Sequence, residues 1–406
     1  MKICQINCVY GNGSTGKIVR DIHMSLIDHN IESFVIVPCL REDDKNVFSV
    51  SNTILSYITA IYRRTFGRQF DGGIIQTLRI IKILNKEKPD IVHLHCINGN
   101  NINIYKLLNF LSNNHIKTIM TLHAEYPYTG GCGHAFECYK WLDGCHNCKQ
   151  LREGTKSYFI DGTKHTWISQ NECYKKFEET NLYIVAVSPW LLNRAELSPM
   201  LKKFNKCVIM NGCNTKIFHY TRSNFWRKKF NIPQNRKIVL FVSSYFTNDE
   251  YDLKGGKFVC KIAEELKGHD CIFIVVSNYN DVKRVPSNMI FAGKITDQTK
   301  LAQLYSEADL TLLTSRKETF SMVLAESLCC GTQVVGFKAG GPESIALNQY
   351  TTFFDYGDIR SLEKYIINYN IFNNKKEIIS KNSILVYSLD NMLNKYIELY
   401  NSFLEY

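Results

Sequence analysis

Lys2-Ile3-Cys4-Gln5-Ile6-Asn7-Cys8, followed after Val9-Tyr10 by Gly11-Asn12-Gly13-Ser14-Thr15-Gly16-Lys17, decides the class of fold. The first run reads as a β-strand and the second as a glycine-rich turn that opens a helix over Gly16–Asp28. Ser33–Val37 then restarts a strand. Strand, helix, strand in that order means a parallel pair with the helix crossing over one face. The alternation continues outward. Asp90–His95, Thr118–His123, Tyr183–Val187 and Lys206–Met210 read as strands, with helices over Ile74–Lys86 and Asn103–Asn113. After Asn211-Gly212 residues 213 to 236 turn polar and basic, with Pro233, and read as a linker running into a second domain. Strands resume at Lys237–Val242, Cys271–Val276, Met289–Ala292, Leu310–Thr314 and Gln333–Phe337, separated by helices at about 256–267, 299–307 and 321–330. The stretch from Ser388 to Tyr406 reads as a separate amphipathic helix.

The expectation is an α/β protein of two doubly wound domains facing a cleft, with ligands at the carboxyl ends of the strands. Residues 1–212 form the first domain, 213–387 the second, and 388–406 a helix crossing back to the first. A length of 406 residues suits two domains. With 45% hydrophobic and 21% charged residues, disordered and collagen-like classes are excluded. No apolar run approaches a membrane span, and the start is too short and polar for a signal peptide, so a cytoplasmic setting is expected. The formal charge of +11 favours an anionic partner: nucleotide, phosphate, nucleic acid or an anionic membrane face.

Gly11–Lys17 fits both G-x-G-x-x-G and G-x-x-x-x-G-K. Ile18 stands where a phosphate loop needs Ser or Thr, and Val37-Pro38-Cys39 offers no ribose-binding acid. What remains is a helix start with backbone N–H groups at Gly13 and Ser14, or a plain strand-to-helix turn. A second motif is Glu318-Thr319-Phe320-Ser321-Met322-Val323-Leu324-Ala325-Glu326, followed by Gly331, Gly336 and Gly340-Gly341-Pro342-Glu343. A helix starting near Phe320 leaves Glu318 in the preceding loop and puts Glu326 nearly two turns in. Its first turn exposes N–H groups to a phosphate or sugar oxygen, and two carboxylates can grip diols.

Those segments resemble the donor site of the family 4 glycosyltransferases, which have the two-domain GT-B fold and generally retain anomeric configuration. Asn211-Gly212-Cys213-Asn214 with Phe218, Leu253-Lys254-Gly255, Pro89–His95 and Thr121-Leu122-His123 are similar to other family elements. The likeness is to transferases of bacterial exopolysaccharide and O-antigen synthesis of the colanic-acid type. That subgroup also has a segment like Tyr128-Thr129-Gly130-Gly131-Cys132 through Cys148. The resemblance implies a nucleotide-sugar donor, UDP- or GDP-linked, and a saccharide or lipid-linked acceptor. It implies donor-sugar contacts from Glu318 and His123. Backbone N–H groups would come from Phe320, Ser321, Met322 and Val323, and ribose binding from Glu326. Lys254 would take the pyrophosphate, Gly13 and Ser14 would approach the phosphates, and Lys294 and Ile295 would frame the base. Glu318, His123 and Lys254 form the expected catalytic set. Relatives carry an Arg before the Lys-Gly pair; here Val242-Ser243-Ser244-Tyr245 has none, and Ser244 is the substitute donor of a hydrogen bond. No Asp-x-Asp occurs, so metal-independent catalysis is expected. An epimerase or phosphorylase of similar architecture, and a zinc-containing nucleic-acid binder, are the alternatives; dispersed basic and aromatic residues argue against nucleic acid.

Cys132, Cys138, Cys145 and Cys148 lie within 17 residues, in an insertion over about 126–150. Structural zinc, local disulfides and uncoordinated thiols are all open. His93, His95 and His115 read as core or surface histidines. Tyr57–Lys88 carries Arg63, Arg64, Arg68, Arg79, Lys82, Lys86 and Lys88 among apolar residues. It reads either as a solvated helix face or as a peripheral contact with an anionic membrane at the inner face of the cytoplasmic membrane.

Overall fold

Two all-parallel sheets organise the chain. In this computed structural model residues 1–39, 44, 46–51, 53–99, 101–279, 282, 284–370 and 375–405 are described. The first sheet holds β1 (Lys2–Ile6), β2 (Glu32–Val37), β3 (Val47–Ser49), β4 (Ile91–Leu94), β5 (Lys117–Leu122), β6 (Leu182–Ala186) and β7 (Asn205–Val208) in the order β3-β2-β1-β4-β5-β6-β7. The second holds β8 (Lys237–Phe246), β9 (Cys271–Tyr279), β10 (Met289–Phe291), β11 (Leu310–Leu313), β12 (Gln333–Phe337) and β13 (Thr351–Phe354) in the order β10-β9-β8-β11-β12-β13. Each order reverses once, between β1 and β4 and between β8 and β11. In doubly wound sheets that reversal opens a crevice at the carboxyl ends of the two strands.

The chain divides into unit 1, Met1–Met210 with Leu393–Tyr406, and unit 2, Asn211–Met392. The helix Leu389–Glu405 gives its first turn to unit 2 and the rest to unit 1; Tyr406 lies outside the described residues. In unit 1 its Tyr396 and Tyr400 are fully buried. The strands are near-continuous apolar runs because helices cover both faces of a parallel sheet; β1 and β4 are buried almost throughout.

Three expectations need correction. β8 runs four residues past Val242, because a bulge between Val242 and Tyr245 lets it keep pairing with β9 as far as Phe246–Tyr279. Short β3 and β13 carry too few residues to show a period. The segment 213–236 is a folded part of unit 2 rather than a free linker. Its basic texture comes from the short helix Phe225–Lys229, whose Trp226 is buried. Arg227 is buried too: it donates to Asp309 at 3.0 Å and to the carbonyls of Pro233 and Arg236. Glu307 accepts from the N–H groups of Trp226 and Arg227, and Asp309 accepts from Ile238 N–H at 2.7 Å.

Breaking a buried pair strands the surviving charge, at a cost of about 3–5 kcal/mol. Asp309→Ala is therefore expected to lower the stability of unit 2 by about that amount, read as a shift in its urea midpoint. Lys300→Ala, on an exposed ion pair, is expected to change it by less than about 1 kcal/mol.

Candidate functional site

In unit 2 the site gathers where the reversal predicts, at the carboxyl ends of β8 and β11. After β11 the chain runs Thr314-Ser315-Arg316-Lys317-Glu318. The Glu318 carboxylate is almost fully buried, with 11% of its side chain exposed. Its Oε1 accepts from Lys254 Nζ at 2.8 Å and from Ser315 Oγ at 2.6 Å. Burial pushes the carboxyl up, but the Lys254 ammonium and hydrogen bonds from Lys254, Ser315 and Ser321 outweigh it, and the group lies below the ordinary range. Glu318 is thus an anion held by a cation that keeps 41% of its own side chain in solvent.

Several contacts fix this pair. Thr314 Oγ1 donates toward the carbonyls of Lys254 and Gly255 at 2.9 and 3.0 Å, and Arg316 N–H donates to Leu253 at 2.8 Å. Asp252 accepts from the N–H groups of Lys254 and Gly256. Gly255 has φ 73°, and a Cβ there would lie 2.2 Å from the Thr314 carbonyl oxygen. On the other side, Glu318 N–H donates to Ala339 at 3.0 Å, and Gly341 N–H returns to Glu318 at 2.8 Å. A Cβ on Gly341 would lie 2.3 Å from the Thr319 carbonyl carbon, so glycine is needed for this crossing. Glu343 accepts from Ala339 and Gly340 N–H.

Ser321 precedes the helix Met322–Cys329 with φ 100° and ψ 95°, a conformation that costs a non-glycine residue energy. Its Oγ accepts from Leu324 N–H. Strain at this position turns the chain sharply, so that the helix start follows directly on Glu318. Phe320 and Ser321 are buried; Met322, Val323 and Glu326 are half-buried. Tyr305 OH donates to Glu326 Oε2 at 3.2 Å. Ser244 is exposed on the bulged end of β8, and Lys294 and Ile295 follow Gly293 in the loop after β10. A hollow of about 530 Å³ under the helix Ile359–Asn368 contains none of these residues.

In unit 1 the helix Gly13–Asp28 starts with Gly13 and Ser14 exposed and no acid in its first turn. His123 follows β5 and belongs to a buried relay. Gln5 Nε2 donates to the Val19 carbonyl at 3.2 Å, which turns its Oε1 toward His95 Nε2, also at 3.2 Å. His95 therefore carries its proton on Nε2. Its bare Nδ1 then accepts from His123 Nε2–H at 3.2 Å. His123 is left with Nδ1 as its acceptor nitrogen, an assignment made from the hydrogen bonds. His93 bonds Tyr400 OH and Thr121 Oγ1, each at 2.7 Å. Burial holds His123 down to about 4 and His93 to about 3, and holds His95 well below its ordinary value. His115 is exposed and lies 3.3 Å from Glu178.

The zinc expectation at Cys132, Cys138, Cys145 and Cys148 gains no support from the geometry. Among the described residues no three His, Cys, Asp or Glu side chains are disposed to hold a metal ion, and all four cysteines are free. Cys145 Sγ accepts from Gly130 N–H at 3.0 Å. Burial pushes the Cys132 and Cys145 thiols up to about 12. Glu125 orders the segment: it accepts from Arg194 Nε at 2.5 Å, Tyr128 OH at 3.0 Å and Ala135 N–H at 2.7 Å. Sequence reading missed Glu125, Ser315, Asp252 and Thr314. Only Glu343, three residues after Gly340, carried a visible signal, that of a helix N-terminus.

Comparison with known proteins places this geometry. Residues 222–385 match the family described as Glycosyl transferases group 1. N-acetyl-alpha-D-glucosaminyl L-malate synthase of Bacillus anthracis is 26% identical over 43% of this chain and 46% of its own. The chain spans about half the length of the curated relatives it matches at 25–26% identity over some two hundred residues. The putative colanic acid biosynthesis glycosyl transferase WcaC of Escherichia coli K12 is 18% identical over 99% of this chain and 100% of its own. Alr3699/HepE of Anabaena, solved in complex with UDP, superposes with a TM-score of 0.64 at 15% identity, covering 99% and 100% of the two chains. The fold is GT-B, and its second unit carries the group 1 glycosyl transferase match.

The neutral histidines make unit 1 sensitive to acid. Unfolded, each binds a proton below about pH 6.5, whereas buried His93 and His95 bind none until far lower. The unfolded state then holds more protons, so stability falls as pH drops below about 6.5. Between pH 7.5 and 5 the loss should be about 2 kcal/mol per buried histidine, measured by urea unfolding; His93→Gln should flatten the profile.

Proposed function

We propose that the chain is a retaining glycosyltransferase of bacterial surface polysaccharide synthesis. It moves a sugar from a UDP- or GDP-sugar to a saccharide or lipid-linked oligosaccharide. The observation that carries the reading is the Lys254–Glu318 pair beside the turn at Ser321. A carboxylate kept ionised can accept from sugar hydroxyls, and a half-exposed ammonium can turn from it to a pyrophosphate. The helix start at Phe320–Val323 offers N–H groups to the same anion, and Glu326, oriented by Tyr305, suits the ribose diol. The names of the relatives and the UDP complex of the Anabaena protein support this class of donor.

In this reading the bond from the anomeric carbon to the leaving phosphate oxygen breaks, and the acceptor oxygen bonds that carbon on the same face. The acceptor proton passes to the leaving phosphate. Lys254 and the backbone N–H groups meet the developing charge, so no metal is called for.

Titration calorimetry with UDP, GDP and their sugars tests the reading. Lys254→Ala should weaken the preferred nucleoside diphosphate by about 10–100-fold, the worth of a charge-assisted hydrogen bond. Glu318→Gln releases Lys254, so nucleotide affinity should hold or rise while turnover falls by about 100-fold or more. Unchanged affinity in Lys254→Ala would remove the proposed pyrophosphate site.

A further inference from the structure

The helix Thr53–Phe66 is mounted inside out. Ile54, Tyr57, Ile58 and Ile61 share one face by their i, i+3, i+4, i+7 spacing, and they are 70%, 67%, 59% and 62% exposed. The inward side is small and polar: Ala60 is buried, Ser56 Oγ donates to Asn101, and Thr59 packs where a Cβ on Gly72 would strike it. An apolar stripe of a surface helix ordinarily faces the core. The neighbouring helix Ile74–Glu87, joined to the same Asn101 through Ser51 and Gln76, exposes Ile74, Ile75 and Leu78. At the far end Tyr158 N–H bonds the Arg64 carbonyl, which brings up Phe159, 80% exposed. This many exposed large apolar side chains on two neighbouring helices mark a docking surface.

Charge identifies the occupant. Residues 53–87 hold six cations, Arg63, Arg64, Arg68, Arg79, Lys82 and Lys86, against two acids, Asp71 and Glu87, the second of them paired with Lys2 at 2.8 Å. Asp71 is spent on Arg68. Arg63 Nε is buried without a hydrogen-bond partner, beside a small hollow lined by Tyr62, Arg68 and Phe70. A second copy of this face would set cations against cations. We infer that the face formed by Thr53–Phe66, Ile74–Glu87 and Tyr158–Ile160 seats unit 1 on an anionic lipid bilayer, with Ile54, Tyr57, Ile58 and Ile61 entering the acyl boundary and the arginines meeting headgroup phosphates. Among the described residues no helix is long and apolar enough to cross a membrane, so the contact lies in the interface plane. It would hold the enzyme against a lipid-linked acceptor, yet it stands on the exposed patch and not on the donor site.

Flotation of the full chain with vesicles of phosphatidylcholine, with and without phosphatidylglycerol, is the test. The wild-type protein should float with the anionic vesicles only, less so as salt rises. Ile58→Glu with Ile61→Glu should cut that partition at least about ten-fold. Arg64→Gln and Lys82→Gln should each cut it about five-fold, the worth of one cation at an anionic surface. All these side chains are exposed, so circular dichroism and nucleotide titration should match wild type; that separates a failure here from a failure of the donor-site reading. Wild-type protein that stays in solution with anionic vesicles at low salt overturns the inference. So does equal flotation of the double glutamate variant. So does a dimer that this variant splits while vesicle binding is unchanged.

Discussion

The carboxylate of Glu318 constrains everything around it in unit 2. A buried anion is tolerated only if its charge is met and its lone pairs are used. Lys254 meets the charge, and Ser315 and Ser321 use the lone pairs. Ser315 and Ser321 flank Glu318 in its own loop and Lys254 comes from the turn after β8, so one requirement fixes two backbone segments at once. Thr314 fastens the Lys254–Gly255 turn to the end of β11, and Gly341 passes close enough to bond the Glu318 carbonyl. The strained turn at Ser321 is then paid from this over-determined frame. In the proposed reading, an anion arriving at Lys254 would compete with Glu318 for the same ammonium.

Unit 1 solves the opposite problem. At its strand reversal, polar side chains are buried without net charge, and hydrogen-bond direction carries the information. The Val19 carbonyl orients one amide, that amide fixes one imidazole tautomer, and the tautomer fixes the next. Burial keeps all three rings neutral, and protonating His95 at Nδ1 would also set a second N–H against the His123 donor 3.2 Å away. His123 is therefore a neutral ring, not a cationic group, and its tautomer is set by Gln5, two steps away.

Much of this was legible. Parallel strands buried on both faces read as short apolar runs, and most of the thirteen strands among the described residues showed themselves to within two residues at each end. Glu318 and Glu326 stood out by their spacing about a helix start, and Lys254 by the likeness of Leu253-Lys254-Gly255 to a family motif. Partners defined only by folding were not visible: nothing local in Ser315, Asp252 or Thr314 tells that they hold Lys254 and Glu318. The segment 213–236 looked like a linker because its cations are exposed in composition, whereas Arg227 is buried against an acid 82 residues away. Tyr57–Lys88 read equally as a solvated helix face or a membrane contact, since a 3.6-residue repeat is the same inward or outward.

The cysteine-rich segment has a second source of order beside its four thiols in 17 residues: the two oxygens of Glu125 tie Ala135 and Tyr128 to Arg194 on the helix Pro189–Leu197. The Arg194 guanidinium lies 4.9 Å from the Trp141 ring and 5.2 Å from that of Trp190, which excludes water from the pair. Glu125 N–H also bonds Gly133 at 2.8 Å. His123 therefore leaves β5 on one side and meets an anchored residue two positions later on the other. The backbone at 123–124 is held at both ends, which is what a neutral imidazole needs if it is to act through the placement of one nitrogen.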